Sequence, residues 1–273
     1  MAKNSYKLLV VDIDGTLVGR DGKIRAEDKE ALARARSAGI AVSLSTGRAV
    51  TACSDIIREL DLNGYHMFCD GALVCDLERD EEVYAQPLDE AVFRQAVDFA
   101  RVNRINIEFH SRDGYFVEKE TWSTIVRRYL FGVSPMMVDF ANLGEQERII
   151  KGSMTAVSSQ EVAKARHFHN EFGDRLYFSW VTTPSYPEVS FINVVAPGVT
   201  KGKALNALTA HLEITLEEVI AIGDGDNDIS LLATAGLGIA MGNATGKLKD
   251  VSDRVTLDVE CGGISAAVNE FLL

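Results

Sequence analysis

Residues 8–16, Leu8-Leu9-Val10-Val11-Asp12-Ile13-Asp14-Gly15-Thr16, run from a short apolar stretch directly into two carboxylates and a glycine. Four branched residues in a row leave no polar face, so the stretch predicts a strand covered on both sides, as in a parallel sheet flanked by helices. If the chain stays extended to Asp14, the two-residue period puts both carboxylates on one side, roughly 6 to 7 Å apart, where one cation can bridge them. Asp-x-Asp-Gly is also the composition of an ordinary turn. The rest of the chain has to decide between these readings.

The same grammar returns twice. After a helical stretch at 26–38, with Glu27 and Asp28 in its first turn and Gly39 as its stop, residues 40–45 form an apolar alternating run. That run ends in Ser45-Thr46-Gly47-Arg48 before a second helical stretch at 50–60. Strand, small polar residues, glycine and helix present backbone N–H groups and a hydroxyl to a phosphate; a plain N-cap has the same composition. Residues 65–69 predict a third strand ending at Asp70-Gly71. Much later, 219–222 is a four-residue apolar run that ends in Gly223-Asp224-Gly225-Asp226-Asn227-Asp228.

Between these halves the pattern changes. Helical periodicity at 88–101, 121–130 and 160–172 alternates with strand-like runs at 105–110, 114–117, 151–157, 175–180 and 189–195. Hairpins with helices to one side predict an antiparallel α+β unit. Ala196-Pro197-Gly198 is its return linker, after which a helix at 202–212, short strands at 238–241 and 254–257 and a helix at 264–272 resume the first pattern. The expected fold is therefore α/β, with a doubly wound, mostly parallel Rossmann-like core interrupted by an inserted α+β domain. The expected division is a core at 1–85 and 195–273 and an insert at 86–194.

In an open doubly wound sheet, ligands bind outside the carboxyl ends of the strands. Asp12, Thr46 and Asp224 each follow an apolar strand, so three segments meet on one rim. Asp12, Asp14, Asp224 and Asp228 gathered there need a compensating cation, and hard oxygen ligands favour Mg2+ or a similar ion. A calcium loop is excluded, because a frame begun at Asp224 puts Ile229 at the glycine position and Ala235 at the glutamate position.

Composition closes off other classes. A net charge of −12 opposes nucleic-acid binding, and 47% hydrophobic with 25% charged residues is ordinary for a globular chain. No apolar run approaches a membrane span. Cys53, Cys69, Cys75 and Cys261 form no Cys-x-x-Cys pair and read as reduced packing residues. The expectation is a cytoplasmic protein with no membrane or nucleic-acid partner, a monomer or small homo-oligomer.

In order along the chain, DIDGT at 12–16, STGR at 45–48, Val199-Thr200-Lys201-Gly202 and GDGDND at 223–228 resemble the four signatures of the haloacid dehalogenase superfamily. The insert, with the stretch at 235–244, resembles the Cof-type phosphatases of subclass IIB, which carry a large α/β cap. The resemblance implies a Mg2+-dependent phosphatase acting on a small phosphorylated metabolite, with sugar phosphates first among its substrates. Asp12 would be the nucleophile that forms an aspartyl-phosphate, and Asp14 the general acid and base with its main-chain carbonyl on the metal. Thr46 and the Gly47 N–H would hold the phosphoryl group, Asn227 would help hold the phosphate or the metal waters, and Lys201 would neutralise the phosphoryl charge and position Asp12. Asp224 would ligate the metal and Asp228 a metal water or the lysine. Asp226 falls at a variable position and reads as a solvated acid.

Where the family usually has Asn-Gly-Ala, this chain has Asp70-Gly71-Ala72. The expectation is that the Asp70 carboxylate points away from the rim, since turns accept Asp and Asn alike. In the insert, His110, Trp122, Arg127, Arg128, Lys151, His169 and Tyr186 are candidates to contact a leaving group, and none is assigned a role. The rival readings are a phosphotransferase or phosphomutase on sugar phosphates and a phosphate-sensing module without turnover; intact Asp12, Asp14 and Lys201 argue against the latter.

Overall fold

The computed structural model describes residues 6–272. In chain order the strands are β1 (Leu8–Val11), β2 (Ala41–Leu44), β3 (Tyr65–Phe68), β4 (Leu73–Asp76), β5 (Glu81–Ala85), β6 (Glu108–His110) and β7 (Tyr115–Val117). They continue with β8 (Met136–Met137), β9 (Lys151–Ala156), β10 (Tyr177–Thr183), β11 (Tyr186–Val195), β12 (Val219–Gly223), β13 (Leu237–Ala240) and β14 (Arg254–Val255). The central sheet has the order β14-β13-β12-β1-β2 and is parallel throughout. Its inner strand β1, between β12 and β2, is at most 1% exposed at every residue, as an all-apolar run must be when helices cover both faces. Among them, the helices Ala26–Ser37 and Gly263–Phe271 pack on one another, as do Lys201–His211 and Ile229–Thr234.

The second sheet, β10-β11-β9-β6-β7-β8, is mostly antiparallel and comes entirely from the stretch between β5 and the helix Lys201–His211. Its strands alternate. Phe109, Met154, Ile192 and Val194 carry its apolar layer, next to the aromatic side chains of Phe93, Phe168 and Phe172. The two connections to the central sheet lie side by side, tied where the Gln86 side chain donates to the Pro197 carbonyl at 2.8 Å. The α/β class with an antiparallel insert is thus as expected from the sequence.

One region differs. β3 does not extend the parallel sheet; beside β2 it forms the single Ser45–Met67 bridge and accepts from the Leu44 N–H at His66 Nδ1, and it opens a three-stranded antiparallel sheet with β4 and β5. The turn from β4 to β5 has no glycine to announce it. Asp76 closes it by accepting from the N–H groups of Glu78 (2.9 Å) and Arg79 (3.1 Å), and Asp80 adopts a φ of 55°. A helix at Phe140–Gln146 was likewise not expected from the sequence. Among the described residues no helix is long and apolar enough to cross a membrane.

Candidate active site

The parallel register sets the rim. Val11 is level with Ile222 on one side and Leu44 on the other, so Asp12, Gly223 and Ser45 leave the sheet together. The Asp12 N–H donates to Ile222 O at 3.0 Å and the Ser45 N–H to Val11 O at 2.9 Å. Beyond Asp12 the chain folds over at Gly15, whose φ is +93°. A Cβ there would stand 2.3 Å from an Asp224 carboxylate oxygen, so this close approach requires glycine.

Lys201, the first residue of its helix, is fully buried. Its ammonium spends all three protons: on Asp12 Oδ1 (2.7 Å), Asp228 Oδ1 (2.5 Å) and the Ser45 carbonyl (3.0 Å). Asp228 is fixed from the other side as well, its Oδ2 accepting from the N–H groups of Asp224 and Gly225, both at 3.0 Å. Asp12 Oδ2, by contrast, accepts no hydrogen bond among the described residues, and Asp12 borders an open cavity.

Oxygens of Asp12, Asp224 and Asp228 lie within 4.8 Å of one another. One lysine does not compensate three carboxylates, two of them buried and that of Asp224 partly so. Burial first, then Asp228 and Asp224, hold the Asp12 carboxyl well above its ordinary value against the pull of Lys201. Burial and Asp228 push Asp224 up to about 7, although Thr16 Oγ1 donates to it at 2.7 Å. An all-oxygen cluster short of positive charge fits a hard divalent cation.

Asp14 stands apart. Its carboxylate is not in this cluster; the Arg48 guanidinium holds both oxygens, Nε on Oδ2 at 2.8 Å and Nη2 on Oδ1 at 2.6 Å. The cation bridging the Asp12 and Asp14 carboxylates, which strand geometry allowed, is not what the fold arranges. Thr46 Oγ1 accepts from the Arg48 N–H at 3.1 Å, which leaves its own proton free to donate. Thr46, Gly47 and Asn227 border the same cavity as Asp12.

The expectation for Asp70 is corrected. Its carboxylate is buried and points inward, accepting from Asn227 Nδ2 at 2.9 Å and from Asn193 Nδ2 of β11 at 2.7 Å. Two amide donors satisfy the two oxygens, which is why an acid is tolerated here. Asp226 is exposed, with Thr245 and Lys247 as its partners, in keeping with a solvated acid.

The cavity measures about 570 Å3 and lies between the rim and the antiparallel sheet. Of the insert residues singled out from the sequence, His110, Arg127 and Lys151 border it. The others do not: the Trp122 indole donates to Glu161, Arg128 pairs with Glu120, and His169 stacks on Phe178; Tyr186 also lies outside the lining. Sequence reasoning missed Arg48, Thr16 and Asn193 as site residues, together with Asn243, whose amide donates to the Gly15 carbonyl at 2.7 Å. Arg48 and Thr16 sat inside motifs already marked; nothing in the local sequence marked Asn193.

A buried lysine tying a strand-end aspartate to a second acidic loop, beneath an inserted α+β sheet, defines a class. The chain belongs to the haloacid dehalogenase-like hydrolases, whose family model matches residues 9–268. It is similar to the HMP-PP phosphatase of Yersinia pestis (strain Pestoides F), with 26% identity over 94% of this chain and 91% of that protein. It is also similar to Phosphatase YwpJ of Bacillus subtilis (strain 168), with 28% identity over 97% of this chain and 100% of that protein. Among solved structures, a haloacid dehalogenase-like hydrolase from Bacteroides thetaiotaomicron matches at TM-score 0.85 and 25% identity, over 98% of this chain and 100% of that one. The HAD subclass IIB sugar phosphatase BT4131 matches at TM-score 0.77 and 27% identity, over 97% of this chain and 98% of that one. The resemblance read from the four motifs, down to the subclass with a large cap, is borne out.

Proposed function

We propose that the protein is a Mg2+-dependent phosphatase of small phosphorylated metabolites that works through an aspartyl-phosphate. The observation that carries this reading is the asymmetry of Asp12: Lys201 holds Oδ1 while Oδ2 stays free beside the cavity. A carboxylate so held presents one oxygen to phosphorus in line with the leaving group, and phosphoryl transfer needs placement and charge neutralisation above all. The phosphatases named among the relatives support the reaction, and the likeness to the sugar phosphatase BT4131 supports sugar phosphates as the first substrates to try.

Asp12 Oδ2 attacks phosphorus and displaces the alkoxide. Asp14, once released from Arg48 and protonated, delivers its proton to the leaving oxygen and afterwards, as the carboxylate, takes one from the water that cleaves the acyl phosphate. Thr46 Oγ1 and the Gly47 N–H steady the phosphoryl oxygens, Asn227 assists them, and Lys201 offsets their charge. Asp12, Asp224 and Asp228 would hold Mg2+ directly or through its waters, with the main-chain carbonyl of Asp14, whose carboxylate is engaged by Arg48. When bound, the ion supplies the positive charge that the buried acids lack and draws charge from the phosphoryl oxygens.

A screen of phosphorylated metabolites for phosphate release with Mg2+ and with excess chelator tests this reading. The expected outcome is release from a subset of sugar phosphates, abolished by chelator and restored by Mg2+. Undiminished release in chelator contradicts the metal assignment, and a bisphosphate product in place of free phosphate makes the protein a phosphotransferase.

A further inference from the structure

Strand alternation gives the antiparallel sheet two different faces. Opposite its apolar layer, Glu108 and His110 of β6, Lys151, Ser153 and Thr155 of β9 and Asn193 of β11 share one face, since Glu108 pairs with Ser153, His110 with Lys151 and Asn193 with Ser153. A polar face normally meets solvent. All of these side chains except Thr155 are buried, and His110, Lys151 and Asn193 border the cavity. A buried polar layer on a cavity wall has something to bind.

The charges on that wall are of one sign. The charged residues that the insert contributes to the cavity are Arg127 and Lys151, while all the acids that border it, Asp12, Asp14, Asp224 and Asp226, come from the core. Arg127 is neutralised by Glu108, which lies behind it at 2.5 Å. Lys151 is not neutralised. Only 3% exposed, it donates to the Gly47 carbonyl at 2.6 Å, and no carboxylate pairs with it among the described residues. Asp70, the acid whose field reaches it, is already engaged by Asn193 and Asn227. A buried ammonium with two unspent protons is costly unless an anion joins it. His110 Nδ1, buried beside it, has no partner either.

The peptide plane places this charge. The peptide between Gly47 and Arg48 turns its N–H to Thr46 Oγ1 and its carbonyl to Lys151. In a trans peptide these two groups point in opposite directions, so Lys151 lies across the peptide from the hydroxyl that faces the transferring phosphoryl group. Its free protons serve the other end of the substrate.

We propose that Lys151, with Arg127 beside it, forms a second anion subsite, so that preferred substrates carry a negative charge on the leaving portion as well as on the transferred phosphoryl group. The inference rests on the phosphatase reading and narrows its substrate class to phosphorylated acids and bisphosphates. A carboxylate and a second phosphate offer the lysine the same chemistry, and two matched pairs of probes separate them.

The test is calorimetric binding to the Asp12→Asn variant with Mg2+. Glycerol 3-phosphate against 3-phosphoglycerate reads a carboxylate; fructose 6-phosphate against fructose 1,6-bisphosphate reads a phosphate. In at least one pair the charged member is expected to bind ~10-fold tighter or more, the size of one charge-assisted hydrogen bond. Adding Lys151→Met is expected to bring that ratio to about one, while Lys151→Arg keeps it. Ratios near one in both pairs overturn the inference, and they do so without any lysine variant if Lys151→Met does not fold. Equal weakening of both members by Lys151→Met also overturns it, because the lysine then serves the transferring phosphoryl group. Phosphate release by the wild type is scored separately. Its absence from every ester contradicts the phosphatase reading, and the binding ratios still decide the subsite.

Discussion

On the core wall of the cavity the charged side chains are Asp12, Asp14, Arg48, Asp224 and Asp226; on the cap wall they are Arg127 and Lys151. The core groups hang from the ends of parallel strands and are locked by one another: Lys201 by Asp12 and Asp228, Asp14 by Arg48. On the cap wall Lys151 stands on one face of an antiparallel sheet and Arg127 on the helix Trp122–Phe131. Among the described residues this wall meets the core where Lys151 donates to the Gly47 carbonyl, Asn193 to Asp70 and the Phe131 ring lies under Arg48, and the insert is tied on further by Ser185 to the Gly19 carbonyl and by the ion pairs Arg112–Asp80 and Arg148–Glu82. A locked wall suits chemistry that must not move, whereas a wall with few attachments suits a surface that opens, admits a ligand and closes. Substitutions on the core wall should therefore destroy turnover, and those on the cap wall should redistribute it among substrates.

The largest effect is expected at Asp12. Asp12→Asn should cost on the order of 10^4-fold or more in kcat, the scale of losing a covalent nucleophile, with every substrate affected alike. A cap variant that matches that loss for all substrates would break the contrast. Lys201→Met comes next. It leaves Asp12 and Asp228 buried without their cation, a defect worth about 3 to 5 kcal/mol, and urea midpoints should show the deficit shrinking towards pH 5 as the stranded acids take up protons.

The two walls also answer pH with opposite signs. Asp224 ordinarily titrates near 3.8 but stands near 7 in the metal-free fold through burial and Asp228. Between those values the folded state keeps a proton that the unfolded state has released, so this contribution to stability falls as pH rises from 3.8 towards 7. His110 runs the other way. Burial, then Lys151 and Arg127, hold it well below 6.5, so its contribution is complete above 6.5 and is lost as pH falls below that value. If the acids of the core wall hold Mg2+, as proposed, the ion takes the place of that proton. Its stabilisation, read as a shift in Tm, should be larger at pH 8 than at pH 5; equal shifts at both would mean that the acids do not hold the ion.

The smallest effect is expected at the tip of the cap hairpin. Ser185→Ala removes one hydrogen bond to the Gly19 carbonyl, worth about 0.5 to 1.5 kcal/mol. It should raise KM a few-fold for large and small substrates together, without changing their order. A change in the order would move substrate selection to the hairpin tip.

The same contrast explains what the sequence made legible. On the core wall each motif ends an apolar strand, and parallel sheets collect strand ends on one rim, so the sequence pattern alone brings Asp12, Thr46 and Asp224 together. The cap wall hides in a pattern with two meanings: Lys151-Gly152-Ser153-Met154-Thr155 alternates as a solvent-facing strand would. Only the tertiary arrangement, which turns that face onto the cavity, distinguishes a binding wall from a wet surface. Asp70 was misplaced for a related reason. Its inward orientation depends on Asn193 and Asn227, which lie 123 and 157 residues away in the chain. The β4–β5 hairpin went unseen because a carboxylate, rather than a glycine, closes its turn.

The role of Asp12 is open to one direct measurement, intact mass after brief exposure to a substrate with an activated leaving group, in the Asp14→Asn and Asp12→Asn variants. With little need for leaving-group protonation, Asp14→Asn should complete the first step and stall at the second, slowed by roughly 10^2- to 10^4-fold. The predicted result is a hydroxylamine-sensitive gain of one phosphoryl group that accumulates in Asp14→Asn, maps to Asp12 and is absent from Asp12→Asn. An adduct on Asp14, or turnover that survives in Asp12→Asn with no adduct at all, would contradict it.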